Sequence, residues 1–559
     1  MTVQDPPQDD TQAAPADTTD SLVRSSAVMA AGTLVSRITG FLRVMVIAAV
    51  LGSSPLSNAY NTANNAPFSL YELLLGGVLS AVLVPLLVRE NKRDRREGDL
   101  YAQRLLTLVV LVLVGLTVLS VLGAPLILDL IANRMAGSQR EIAVAFLRYF
   151  LPQVLFLGIV AVVVAILQSR RRFAAPMWAP VLNNLTVIAT GLLFMYVVDG
   201  QPTPDTITAG ETMLLGLGTS AGIVVQTLAL LPSLLRAGFR PRPRLGFHRL
   251  GLGAIGRLGT WTIVYVTTNL AGLFVVTNIG GAVDRALAAT HQSLNYGYTP
   301  YQNAFTVFSL PHAIVAVSVI TALLPRMSSH AADGRFGLVR SDLSTGIRLA
   351  AVLIVPAAVA LVALGRPVGV TIFSLGFYSA DNAGYTGLVI AAFAFGLIPF
   401  SIFQLMLRVF YALQDTRTPA LVNMLGTAVT IALGIGCYLV LPHQGVMISL
   451  ALAYGVGYLV NTLVAAAILR RRLGGIDGRR VVGVLARMVA AAVPGGVLAW
   501  LATLGLTQLL GDGKTTAVIC VVVGGLLVLG SFLALARALR VTEVATLVST
   551  FRGRRASGG

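Results

Sequence analysis

Apolar stretches of roughly 20 residues recur from about Ser25 to Leu539, joined mostly by short connectors. Lipid offers no water to backbone N–H and C=O groups, so a run of that length crosses a bilayer as a helix, whose peptide hydrogen bonds are all internal. The runs are continuous rather than alternating, which excludes a transmembrane β-barrel. Hydrophobic residues make up 56% of the chain and charged residues 11%, against about 25% charged in an average soluble domain. The chain is therefore an all-α polytopic membrane protein.

The pattern predicts 14 spans, at 27–51, 60–88, 104–132, 144–168, 176–198, 212–236, 258–282, 297–325, 343–364, 386–411, 420–441, 446–469, 483–508 and 516–538. A net charge of +18 would suggest nucleic acid in a soluble protein. Here the basic residues sit in alternate connectors, among them Arg89 to Arg96, Arg170 to Arg172, Arg236 to Arg244 and Arg470 to Arg472. By the positive-inside rule these face the cytoplasm, which places both termini there and leaves no reason to invoke nucleic acid. The first 20 residues lack a positive segment followed by an apolar core, so they are not a cleaved signal and read as a disordered tail. Cys437 and Cys520 fall inside apolar runs, as core or lipid-facing thiols.

Two arginines interrupt the first span, in Ser36-Arg37-Ile38-Thr39-Gly40-Phe41-Leu42-Arg43. A guanidinium stays charged, and at membrane depth it needs water or an anion. The pair lies about 120° apart on an ideal helix and Arg43 is about 9 Å deeper than Arg37. Snorkelling to the headgroups suits Arg37 only if the helix starts late, and it serves the two together poorly. The alternative is a hydrated cavity that waits for a negatively charged ligand. The second span carries Asn58, Asn61 and Asn65 in an i, i+3, i+7 stripe that Glu72 continues. Such a face lines an aqueous cavity or forms an interhelical hydrogen-bond seam. Glu72 is expected to pair with Arg37 or Arg43 when the cavity is empty of substrate.

Three further features stand out. The run Asn295 to Asn303, rich in tyrosine, is either an interfacial belt or a sugar-contacting surface. His312 is a core residue or a proton relay, and Asp284 with Arg285 reads as a solvated pair at the outer end of span seven. A weak repeat links Leu167-Gln168, Arg171, Pro176 and Asn183-Asn184 to Leu413-Gln414, Arg417, Pro419 and Asn423, and Val84-Pro85 to Leu324-Pro325. Both shifts join elements six spans apart, the pattern of two six-helix lobes around a substrate space. There is no P-loop, HExxH or Gly-x-Ser-x-Gly motif, so the chain reads as a transporter and not an enzyme, driven by an ion gradient, the membrane potential or the substrate gradient.

The motif around Arg37 and Arg43, the Gly77 to Pro85 segment, Leu324-Pro325-Arg326-Met327-Ser328 and Phe410-Tyr411-Ala412-Leu413-Gln414-Asp415-Thr416-Arg417-Thr418-Pro419 together resemble the MurJ/MviN family of lipid II flippases, over about residues 25–540. The resemblance implies 14 helices, as two six-helix lobes around a cationic cavity and two C-terminal helices that form a groove for a polyprenyl tail. The organisation it implies is a cytoplasmic tail at 1–24, lobes at 25–250 and 251–472, two extra helices at 473–540 and a cytoplasmic tail at 541–559. It maps the family's first-span arginines onto Arg37 and Arg43. This sequence departs from the family pattern at Asn58, where an acid is usual, and at Tyr71 and near Thr306, where arginines are usual.

The expected function is movement of a lipid-linked peptidoglycan precursor from the inner to the outer leaflet of the bacterial plasma membrane by alternating access. The expected substrate-binding set is Arg37, Arg43, Asn58, Asn61, Asn65 and Glu72, with no catalytic residue, no metal ligand and no tightly held cofactor. Coupling to the membrane potential or Na+ is implied. The expected partners are a lipid-linked oligosaccharide diphosphate, membrane lipids and cell-wall synthesis proteins. Two other readings stay open: an ion-coupled exporter of drugs or another lipid-linked oligosaccharide on the same fold, and a non-transporting scaffold for cell-wall synthesis. A drug exporter would show an acid-lined pocket, and a scaffold would show no hydrated cavity at Arg43.

Overall fold

A computed structural model describes residues 17–73, 95–170, 172–246, 252–288 and 296–544. Among them there are helices and no strands. In chain order they are α1 (Asp17–Leu51), α2 (Pro55–Tyr71), α3 (Arg95–Leu122), α4 (Ala124–Ile131), α5 (Gly137–Phe150), α6 (Gln153–Ser169), α7 (Ala174–Val197), α8 (Ala209–Arg236), α9 (Leu252–Ala288) and α10 (Tyr298–Ala332). They continue as α11 (Phe336–Phe373), α12 (Ala380–Ala394), α13 (Leu397–Ala412), α14 (Arg417–Val440), α15 (His443–Arg472), α16 (Gly478–Leu510) and α17 (Lys514–Ala538). Eleven stretches among the described residues are long and apolar enough to cross a membrane, with α5 and α6 together forming one of them, and α12 with α13 makes a twelfth if that bent pair is one span. These match all the expected spans but two. Span 60–88 passes from α2 into residues outside the described ones, and span 297–325 corresponds to α10, some of whose side chains also lie outside them.

Several boundaries differ from the sequence expectation for identifiable reasons. α1 begins at Asp17, inside the segment expected to be a tail. The third span breaks at Gly123, because Pro125 cannot continue a helix but suits the first turn of α4. The tenth span bends by 51° between α12 and α13. Gly396 at that bend lies against Gly455 of α15, and a Cβ on it would meet the Gly455 Cα at 2.7 Å.

Helices α1 to α8 pack mainly on one another, and α9 to α15 do the same. In the first group α1 packs on α7 and α7 on α8; in the second α9 packs on α14 and α14 on α15. Of the repeated Gln and Arg residues, Gln168 lies in the last turn of α6, Gln414 in the α13–α14 connector and Arg417 at the start of α14, while Arg171 lies outside the described residues. Between the groups the contacts are sparse and involve α1, α2 and α4 on one side and α9, α10 and α11 on the other. Helices α16 and α17 pack on each other and on α11.

Lipid tails are as apolar as leucine, so helices associate here through close packing and hydrogen bonds. The α11–α12 contact shows this. Gly365, Gly369 and Gly387 bring the two backbones together, and a Cβ on Gly369 would fall 2.6 Å from the Gly387 nitrogen. Gly369→Ala is expected to destabilise the protein by about 1–3 kcal/mol, the usual cost of overpacking, read as a lower melting temperature in detergent.

The start of the expected C-terminal tail is packed. Glu543, 6% exposed, pairs with Arg348 of α11, and Val541 and Val544 join the cluster formed by α11, α16 and α17. At the α13–α14 connector Asp415 accepts from the Thr418 backbone and from Arg472. Burial pushes the Asp415 carboxyl up, but the Thr418 hydrogen bonds and the Arg472 guanidinium outweigh it and hold the group below the ordinary carboxylate range. A depressed carboxyl contributes stability that is complete above its unfolded value, about 3.9, and is lost as pH falls through the lower folded value. An Asp415→Asn variant is therefore expected to melt below the wild type at neutral pH and to converge with it in acid.

Candidate functional site

The site is built on the α1–α7 contact. Asn184 of α7 donates to the Ser36 carbonyl (3.1 Å) and to Thr39 Oγ1 (3.1 Å) of α1. Thr39 in turn donates back to Val35 O within its own helix. Gly40 makes the approach possible, since a Cβ there would already stand 3.4 Å from Asn184 Nδ2. This lock falls between Arg37 and Arg43 and fixes the rotation of α1, so that both arginines face the same space.

That space is a cavity of ≈ 550 Å³. Arg37, Arg43, Tyr60, Asn61, Asn64 and Asn65 are on its wall, and among the described residues no carboxylate lines it. Arg37 is exposed and Arg43 half-buried. No ion pair or hydrogen bond ties up either guanidinium among the described residues. Tyr60, behind Arg43, is held rigidly: its hydroxyl bonds Thr219 Oγ1 (2.8 Å), and its ring stands edge-on to Phe146 and Phe150. The start of α2 is set by Ser54, which accepts from Ser57 N (3.2 Å), and by Pro55 in the first turn.

The asparagine stripe closes one end of this cavity. Asn58, 2% exposed, accepts from Thr299 N (2.8 Å) at the start of α10 and donates to Asp284 of α9. Asn61 donates to Thr299 Oγ1 (3.3 Å) and Asn65 to the Tyr298 hydroxyl (3.0 Å). Nearby, the Phe377 N–H donates to Ala49 O at the end of α1 (2.8 Å), an approach that Gly52 (φ 66°) and Gly376 (φ 55°) permit. The stripe thus acts as a hydrogen-bond seam between the two groups of helices, and Asn61 and Asn65 also reach the cavity wall. Asn58 does not reach it.

Two expectations are corrected here. Asp284 is not a solvated partner of Arg285, because its carboxylate accepts from Asn58 and from the Gly297 backbone. Glu72 makes no ion pair with Arg37 or Arg43. The reason is reach: at 1.5 Å per residue Glu72 lies about 18 Å along α2 from Tyr60, the neighbour of Arg43 on the wall.

The tyrosine-rich start of α10 is not an interfacial belt. Tyr298 and Tyr301 are 2% and 6% exposed, and Tyr301 packs on Phe393 at 4.8 Å. Tyr301 and Gln302 line a second cavity of ≈ 450 Å³ among α2, α9, α10, α13, α14 and α15. His312 sits at 3.1 Å from Ser401 Oγ and edge-on to Phe400, as a packed residue of α10. Arg408 of α13 is a further cation within a span, one that hydropathy and motif did not single out. Its guanidinium lies over the Tyr411 ring at 5.9 Å and its buried Nε has no partner. The signal was available, because Arg408 is the one charged residue in α13.

A bundle of membrane-spanning helices in two loosely joined groups, with a cationic cavity between them that no acid lines among the described residues, has the form of a transporter for an anionic ligand. The family model "Lipid II flippase MurJ" matches residues 47–512, and the chain belongs to that family. Its relatives include the "Probable lipid II flippase MurJ" of Rhizobium meliloti (strain 1021), 28% identical over 76% of this chain and 77% of that one. The protein of the same description from Synechocystis sp. (strain ATCC 27184 / PCC 6803 / Kazusa) is 28% identical over 88% of this chain and 90% of its own. Among solved structures, "Lipid II flippase MurJ, inward closed conformation" superposes with a TM-score of 0.70 at 19% identity, over 92% of this chain and 99% of that chain. An inward-facing multidrug resistance MATE family transporter superposes with a TM-score of 0.62 at 15% identity, over 79% of this chain and 95% of that chain. These superpositions speak to the fold, which is that of a multi-pass membrane protein.

Proposed function

We propose that the protein moves a lipid-linked peptidoglycan precursor, lipid II, from the cytoplasmic to the outer leaflet of the bacterial plasma membrane. The observation that carries this reading is the acid-free cavity with Arg37 and Arg43 both on its wall and neither paired among the described residues. Two permanent cations in such a place are stabilised by an anion, and a diphosphate supplies oxygens for charge-assisted, partly bidentate hydrogen bonds. Asn61 and Asn65 contact the sugar or peptide beside it. The polyprenyl tail stays in lipid along α16 and α17, so only the polar head group crosses.

The architecture proposed is 14 spans in two six-helix lobes plus α16 and α17, with both termini cytoplasmic. The lobes rock about the cavity, and the seam of Asn58, Thr299 and Asp284 is the outer closure. Once the head group has left, the membrane potential draws the positively charged cavity back toward the cytoplasm, at about 2.3 kcal/mol per charge per 100 mV. A drug exporter on this fold is disfavoured by the missing acids in the cavity wall, and a scaffold has no use for unpaired cations at depth.

The test is replacement. In bacteria depleted of their own flippase, this chain is expected to restore growth and the labelling of precursor at the outer leaflet. Growth without labelling, or neither, would overturn the assignment.

A further inference from the structure

The second cavity differs in chemistry from the first. The two are contiguous, since Asn65, Phe68 and Gln302 are on the wall of both. The first is cationic. Among the described residues the second has no charged residue on its wall and is built largely from tyrosine and phenylalanine rings and carboxamides. Asn423 donates to Asn269 Oδ1 at 2.9 Å across α14 and α9. Asn461 of α15 is 2% exposed and its buried Oδ1 has no partner. Gln404 of α13 is on the wall as well and is half-buried.

A buried carboxamide oxygen without a partner is costly unless a ligand or water supplies a donor. An apolar tail cannot do this and leaves the Asn461 oxygen without a donor, although Asn423 and Asn269 bond each other and Gln302 accepts from Tyr298. A cationic drug would find no carboxylate here. A neutral ligand with hydroxyl and amide groups, and with C–H faces to lay on aromatic rings, matches a wall of rings and carboxamides. The volume, ≈ 450 Å³, falls within the range of about 300–1,000 Å³ typical of small-ligand pockets.

We propose that this cavity is a sugar subsite, which takes an acetamido-hexose of the head group while the diphosphate rests on Arg37 and Arg43. The inference rests on the flippase reading above. The division of labour is then spatial: charge is recognised by α1, and the neutral sugar by α9, α10, α13, α14 and α15 together with the end of α2. Gln302 and Asn65, shared by the two walls, mark where the bond between diphosphate and sugar lies.

The experiment compares two probes on the full chain in lipid nanodiscs: polyprenyl diphosphate, and the same lipid carrying one N-acetylglucosamine on its diphosphate. The wild type is expected to bind the sugar-bearing lipid more tightly by about tenfold or more. Asn461→Ala and Gln404→Ala are each expected to remove most of that preference, while their affinity for bare polyprenyl diphosphate stays within about twofold of wild type. Because Asn461 is tightly packed, the half-buried Gln404 provides the variant that keeps the wild-type melting temperature. Equal binding of the two lipids by the wild type, or variants that retain the full preference, would overturn the subsite. Failure of the flippase reading has a different signature: bare polyprenyl diphosphate would bind Arg43→Ala as well as it binds the wild type.

Discussion

Arg43→Ala is expected to abolish outer-leaflet labelling of precursor in cells that depend on this chain, with the protein still folded and inserted. Arg43 lies about 9 Å deeper than Arg37 and is half-buried, whereas Arg37 is exposed. A hydrogen bond to a charged group contributes about 1.5–3 kcal/mol, more where water is excluded. Loss of the deeper cation should therefore weaken diphosphate binding by roughly 10- to 150-fold. Arg37→Ala should weaken it less, because water screens an exposed charge. Arg43→Lys keeps the charge but not the planar fork, and is expected to fall between Arg43→Ala and wild type. The measurement is precursor exposure against expression level, together with polyprenyl diphosphate affinity of purified protein. Normal exposure with Arg43→Ala would remove the basis of the mechanism.

The second large effect is expected at the asparagine seam. Asn58 satisfies the Thr299 N–H and the Asp284 carboxylate at once, across two groups of helices that touch little elsewhere. Asn58→Val leaves both without that partner. In the closed form each is buried or half-buried and loses about 1–3 kcal/mol. In an open form both meet water and lose nothing. The substitution therefore acts on the closed state alone, and should shift the equilibrium toward opening by roughly 10-fold or more. Spin labels at Pro55→Cys and Asp381→Cys, in a background with Cys437 and Cys520 replaced, read this as a longer-distance population in pulsed electron resonance. A distance distribution unchanged by Asn58→Val would show that the seam does not hold the closed state.

Much of the fold was legible because lipid makes a simple demand. A run such as Leu105 to Leu122 has no alternative to a helix, so hydropathy alone located most spans. The breaks were harder. Gly123 ends a helix because Pro125 stands two residues on, and Gly396 because it packs against Gly455; a window average passes over a single residue. The arginines were legible for the same reason as the spans: a guanidinium at depth stands out against apolar neighbours. Arg408 carries the same signal in α13, but it stands two residues before the Phe410 to Pro419 motif and merges with it in the sequence.

The amino-acid order by itself determined that this chain crosses a membrane many times and carries permanent cations at depth, since both depend on transfer energies set by residue type and not by neighbours. Only the tertiary structure decided which polar residues serve the cavity and which serve the closure. Asn58 and Asn65 belong to one stripe on one helix, yet one is buried against Thr299 and Asp284 while the other faces the hollow. Asp284 reads as solvated in the sequence, and α2 covers it in the fold. A hydrogen bond depends on where its partner stands, and for these residues the partner is more than 200 positions away in the chain.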